Sequence, residues 1–138
     1  MKENFYNSKK PGFTLIEILI VFTLIGILVG LGIPQFKYAT KRTREATLKA
    51  DLYELRKLIN QYYTDKGKYP LSLQTLVEEA YLYRIPIDPI TNSSETWIEV
   101  QQTLTEDEMM MPEIEVGIVD VLSGSNEKAI DGTPYNTW

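Results

Sequence analysis

The chain has 138 residues, 43% hydrophobic and 24% charged, with no cysteine and no histidine. Those absences exclude a disulfide scaffold, a thiolate zinc site and any nucleophile triad built on histidine. The net charge of −5 is the sum of two unlike halves: residues 1–50 carry eight basic and three acidic side chains, residues 51–138 six and sixteen. An acidic distal body opposes phosphate, so no nucleic-acid partner is expected there.

Residues 13–33, FTLIEILIVFTLIGILVGLGI, hold one charge, Glu17. As a helix, 21 residues reach roughly 30 Å, one hydrocarbon thickness. Gly26, Gly30 and Gly32 suit a membrane helix that packs closely, and suit an exposed soluble helix poorly. A chain this short could hardly surround such a segment, which disfavours a buried core helix. A secretory signal with Lys9 and Lys10 as its basic region and Leu15–Leu31 as its apolar region is the other reading. Against it, no small-x-small cleavage site follows, and the helical pattern continues. Lys2, Lys9 and Lys10 before the span face Lys37, Lys41, Arg42 and Arg44 after it. Charge alone therefore leaves the orientation open.

Pro34 is the expected kink or loosening point, near Gly32. Leu48, Leu52, Leu55, Ile59 and Tyr62 then step by 4, 3, 4 and 3, the apolar stripe of an amphipathic helix. One helix is expected from about Phe13 to Tyr63, ended by Asp65, Lys66 and Gly67. A short second helix is expected over Ser72–Leu82, on Leu73, Leu76, Val77 and Ala80. Pro86 and Pro89 bracket a loop, Ile85–Ile90. Thr96–Thr103 has strand composition. Glu113–Val119 alternates, with Glu113 and Glu115 on one face and Ile114, Val116 and Ile118 on the other, as a half-buried strand does. Asn92–Glu95 and Glu106–Pro112 read as turns. Met109, Met110 and Met111 are either a packing plug or a contact surface. Tyr135 and Trp138 are expected to pin the polar tail Ser123–Trp138. The fold class is α+β: a long helix on a small antiparallel sheet with a short second helix.

Residues 9–17 read KKPGFTLIE. The basic pair Lys9 and Lys10, the Gly12-Phe13 junction, Glu17 five residues in, the apolar run and Pro34 resemble the N-terminal signal of type IV pilins and type II secretion pseudopilins. Gly67-Lys68-Tyr69-Pro70, Leu76, Asp88-Pro89, Asp120-Val-Leu-Ser-Gly and the terminal Trp138 resemble the major pseudopilin. Many type IVa pilins close their C-terminal region with a disulfide, so the lack of cysteine favours the pseudopilin branch.

The resemblance implies a leader, 1–12, removed by prepilin peptidase between Gly12 and Phe13, with N-methylation of Phe13. It implies a membrane and filament-core helix over 13–34, an amphipathic continuation over 35–64 and a globular head over 65–138. Phe13 and Glu17 would serve assembly, Glu17 meeting the new Phe13 amine of a neighbouring subunit. Snorkelling of Glu17 to the head groups is the alternative. Implied partners are further copies of the chain in a helical polymer, the peptidase, secretion ATPase and platform proteins, minor pseudopilins and the inner membrane. The N-terminus would be cytoplasmic and the head periplasmic. The expected role is structural, in protein export, or else in a type IV pilus for motility, adhesion or DNA uptake. No catalytic residue and no obligatory cofactor is expected. The family often binds Ca2+ in its C-terminal loop. Here Asp120, Asp131 and nearby carbonyls are either a hard-cation site or metal-free Asx-rich turns. An anchored enzyme would have to use Glu78 and Glu79, or Glu106, Asp107 and Glu108. Adjacent acids on a helix point apart, and acid runs are normally solvated.

Overall fold

A computed structural model describes residues 12–104 and 115–138. The chain divides into two compact units, at Ala39/Thr40. The dominant element is α1, Leu15–Lys66, 52 residues long. Thr14 opens it. The Thr14 hydroxyl accepts from the Glu17 N–H at 3.3 Å, and the Glu17 carboxylate accepts from the Thr14 N–H at 3.4 Å. This is the reciprocal capping box that a Thr-x-x-Glu sequence encodes. Helical backbone continues through position 34, so the chain does not leave α1 at Pro34. Gly67, at φ +73°, ends the helix by donating its N–H to the Tyr63 carbonyl at 2.9 Å. Glycine takes that left-handed conformation without steric cost.

In the second unit the α1 stripe is buried as its spacing predicts: Leu48, Leu52, Leu55, Ile59 and Tyr62. The core is completed by Leu73 and Leu76 of α2 (Leu73–Glu78), and by Trp97, Ile118, Val121, Ala129 and Tyr135. Ser72 caps α2, its hydroxyl accepting from the Thr75 N–H at 3.3 Å. The helix is shorter than the expected Ser72–Leu82. Ala80 sits at φ 63°, and the N–H groups of Tyr81 and Leu82 both turn back to the Leu76 carbonyl. The apolar residues after Glu78 continue the helical pattern, but the backbone has already closed.

Among the described residues two strands form the sheet, β1 (Ile98–Gln101) antiparallel to β2 (Ile118–Leu122), with Ile98 opposite Leu122 and Gln101 opposite Ile118. A register shift falls between Val100 and Gln101. The first strand lies inside the expected Thr96–Thr103. The second corrects the expected Glu113–Val119: among the described residues the strand runs Ile118–Leu122, and Gly117 adds only a carbonyl that accepts from the Gln102 N–H. Just before it, Gly117 passes so close to Tyr69 that a β-carbon there would lie 2.5 Å from the tyrosine's own. Ile118 donates its N–H to the Pro70 carbonyl at 2.8 Å. The chain is tied there to the segment after α1, which sets where the strand can start. Glu113, Ile114, the expected turn Glu106–Pro112 and Met109–Met111 lie outside the described residues.

The loop after β2 is fastened from two sides. Asp88 is fully buried. One of its carboxylate oxygens accepts from the Ser123 hydroxyl at 2.6 Å, the other from the Ile90 N–H at 2.8 Å. Gly124 has no room for a side chain, since a β-carbon would collide with the Thr96 carbonyl. Tyr135 and Trp138 flank a single 3-10 turn, Tyr135–Thr137, and their rings meet edge to face at 5.1 Å. Both pin the tail as expected: Tyr135 is buried, and the Trp138 indole donates to the Thr133 hydroxyl at 2.8 Å.

Candidate functional site

The first candidate surface is the apolar half of α1. Every described residue from Gly12 to Ile33 is exposed. Leu15, Phe22, Leu28 and Leu31 leave 69–85% of their surface uncovered. Water does not tolerate a continuous apolar cylinder of this kind; a bilayer or a bundle of like helices does. The helix is long and apolar enough to cross a membrane. Around Gly26, Gly30 and Gly32 the space is open, so neighbouring backbones can approach there. Thr23 returns its hydroxyl to the Leu19 carbonyl at 2.7 Å, which leaves no unsatisfied donor in an apolar setting. Glu17 is the charge in this surface, held by the capping box at the helix start. Gly12 and Phe13 lie exposed just before α1, with nothing within 4 Å of a β-carbon at Gly12. The basic residues after the span include Lys37, Arg42 and Arg44, all exposed.

The second candidate region is where the amphipathic part of α1 meets the C-terminal loop. Glu45 is buried, and one of its oxygens accepts from both the Tyr135 hydroxyl at 2.8 Å and the Ile130 N–H at 2.7 Å. Lys41 donates to the Lys128 carbonyl at 2.6 Å. Arg56 donates to Asp120 at 2.6 Å and to the Val121 carbonyl at 3.1 Å. The Lys49 ammonium lies 4.3 Å from the centre of the Trp138 ring. Neither Glu45 nor Arg56 stands out in the sequence as a functional residue. The available signal was position: Glu45 falls three residues before Leu48, on the edge of the stripe that is buried.

Burial, followed by the Glu45 carboxylate, pushes the Tyr135 phenol well above its ordinary value of 10.0. A folded value above the unfolded one means that the neutral phenol stabilises the fold. That contribution is full below about pH 10 and is lost as pH climbs through the folded value. Stability should therefore fall in strongly alkaline solution, and Tyr135→Phe should flatten the fall. Alkaline melts of the two proteins, followed by circular dichroism, check this. Identical alkaline profiles would remove the assignment to Tyr135.

Among the described residues, the acids considered for catalysis or metal do not assemble. Glu78 is exposed. Glu79 pairs with Lys66 at 2.6 Å and accepts from the Tyr62 hydroxyl at 2.8 Å, and these two donors hold its carboxyl below the usual range. Glu106, Asp107 and Glu108 lie outside the described residues. Asp120 accepts from Arg56 and from the Val121 N–H, and Asp131 from the N–H and hydroxyl of Thr133. Among the described residues no three metal-ligating side chains converge.

Comparison with known proteins identifies the family. Residues 7–33 match the family model of the prokaryotic N-terminal methylation motif. The chain is 30% identical over 101 residues to type II secretion system core protein G of Escherichia coli K12, covering 62% of this chain and 70% of that protein. The chain belongs to the core protein G family. The core protein G of Pseudomonas aeruginosa is 29% identical over 100 residues, with 61% and 70% coverage. The type IV major pilin protein PilA of Myxococcus xanthus is 33% identical over 69 residues, but that stretch is half of this chain and only 31% of the pilin. No solved structure gives a significant match. Likeness to the pilin spans much less of the relative, whereas likeness to core protein G extends well beyond the motif. The pseudopilin assignment and the pilin-like fold expected from KKPGFTLIE both hold.

Proposed function

We propose that this chain is the structural subunit of a type II secretion pseudopilus. The observation that carries the reading is the exposed apolar half of α1, joined to a methylation motif and followed by a folded acidic head. In this reading prepilin peptidase cuts between Gly12 and Phe13, and Phe13 is N-methylated. Gly12 suits a tight protease site because it adds no side chain to the extended junction. The subunit then waits in the bacterial inner membrane, its N-terminus cytoplasmic and its head periplasmic. A secretion ATPase and platform proteins draw subunits into a helical homopolymer capped by minor pseudopilins. The apolar helix loses little in that transfer, since it exchanges lipid contacts for neighbouring copies of itself.

Filament growth would push folded cargo outward. The chain's part in this is mechanical: it is read as a building block and not as an enzyme. The type IV pilin reading rests on the pilin match. Deleting the gene separates the two: loss of protein export with surface motility retained is the expected outcome. Normal export with lost motility would favour the pilin reading instead.

Processing provides a direct check on the site. Gly12→Leu should leave uncut precursor in the membrane, seen as a mass increase of the intact leader over the wild-type product. Full cleavage of Gly12→Leu would show that the junction is not recognised through this residue.

A further inference from the structure

The C-terminal loop offers a donor set for a hard cation only on paper. A structural Ca2+ needs six to eight oxygens, several of them anionic. Each expected carboxylate already accepts from this chain through its Oδ1. The Asp120 carboxylate holds the Arg56 guanidinium, and the Asp131 carboxylate holds the Thr133 N–H and hydroxyl. The carbonyls of Lys128, Glu127 and Ala129 accept from Lys41, the Tyr135 N–H and the Gly132 N–H. Two ammonium groups, those of Lys41 and Lys49, stand at this loop and would repel a divalent ion. The residues present do not fit the metal.

What replaces it lies on one face of α1. Lys41, Glu45, Lys49, Leu52 and Arg56 step by 4, 4, 3 and 4, so they form a single stripe. Its four charged members each reach a different part of the segment after β2 begins. Lys41 takes the Lys128 carbonyl, and Glu45 takes the Ile130 N–H and the Tyr135 hydroxyl. Lys49 covers the Trp138 ring, while Arg56 takes Asp120 and the Val121 carbonyl. Together they supply both the positive charge and the fixed anchoring that a bound cation would give a loop. We propose that this α1 stripe is a built-in substitute for a structural cation, and that the head of this chain holds its C-terminal loop without metal.

The test is thermal unfolding of the full chain in detergent, followed by tryptophan fluorescence, since Trp97 and Trp138 both lie in this unit. The midpoint is expected to be the same in EDTA and in millimolar CaCl2. Binding to a native site at a hundredfold excess over Kd would instead raise it by about 10 °C or more. Lys41→Met should lower the midpoint by a few degrees. Glu45→Leu, which strands a buried hydroxyl and an N–H, should lower it by roughly 10 °C. Calcium should repair neither loss. A midpoint that rises with calcium and falls back with EDTA would overturn the proposal. So would Lys41→Met and Glu45→Leu proteins that both melt like the parent. Neither readout depends on filament assembly, so the proposal and the pseudopilus reading can fail separately.

Discussion

A Glu17→Val protein is expected to be made, cut and inserted normally, and to form no filaments. A carboxylate one turn into a membrane helix is unfavourable by roughly 2.5–3.5 kcal/mol on insertion scales. In the isolated subunit part of that cost is offset, because the carboxylate caps the helix through Thr14. Its charge still lacks a cationic partner among the described residues of its own chain. Cleavage after Gly12, as proposed above, would create such a partner, the amine of Phe13, close to Glu17 along the chain. In a helical polymer each subunit is displaced axially from the next. The Glu17 of one subunit can then meet the Phe13 amine of another. In an apolar surrounding that pair both attracts and fixes register. Such a pair would form only between subunits, so it would favour assembly over diffusion in the bilayer. Glu17→Gln separates the two roles, since it keeps a capping oxygen and loses the charge. It should fail to assemble as Val does. Shearing cells and probing the sheared fraction, after confirming the mature mass, reads the outcome. Filaments of normal length and number from either variant would exclude the charge pair.

Leu55→Asp is expected to unfold the head while leaving the apolar half of α1 in the membrane. Leu55 is 1% exposed at the centre of the α1 stripe. Truncating a buried leucine alone costs about 2–5 kcal/mol. An unpaired carboxylate in its place adds several more. Against a total stability of about 5–15 kcal/mol, the sum removes most or all of the fold. Tyr53, two residues away and 73% exposed, is the control, and Tyr53→Asp should change stability by under about 0.5 kcal/mol. Limited proteolysis and tryptophan fluorescence of the detergent-solubilised chain distinguish the cases. A Leu55→Asp head as protease-resistant as the parent would refute the packing described for this face.

Both predictions rest on features that the linear sequence carries openly. The 4, 3, 4, 3 spacing from Leu48 to Tyr62 identifies the buried face without any tertiary information, because helical period and burial coincide there. Gly67 likewise marks the helix end by its own conformational freedom. Glu17 stands out because an isolated charge in an apolar run has few physical justifications, whereas the Gly12-Phe13 junction is implied only by the resemblance of KKPGFTLIE to the pilin signal.

The less legible parts are those that depend on distant partners. The Glu45 carboxylate is satisfied by Ile130 and Tyr135, 85 and 90 residues away. Asp88 is buried because Ser123 comes to it from 35 residues on. No local pattern announces either contact. The start of β2 at Ile118 is set by the Pro70 carbonyl and by the closeness of Gly117 to Tyr69, whereas the alternation over Glu113–Val119 suggests an earlier start. The end of α2 is decided by the turn at Ala80, a residue that on propensity alone extends a helix.

The most direct test of the account is the intact mass of this chain in sheared filaments from cells that overproduce it. The prediction is a filament protein that begins at Phe13, lacks residues 1–12 and carries one additional methyl group. A chain that keeps Met1–Gly12 and remains in the membrane, with none in the sheared filaments, would contradict it.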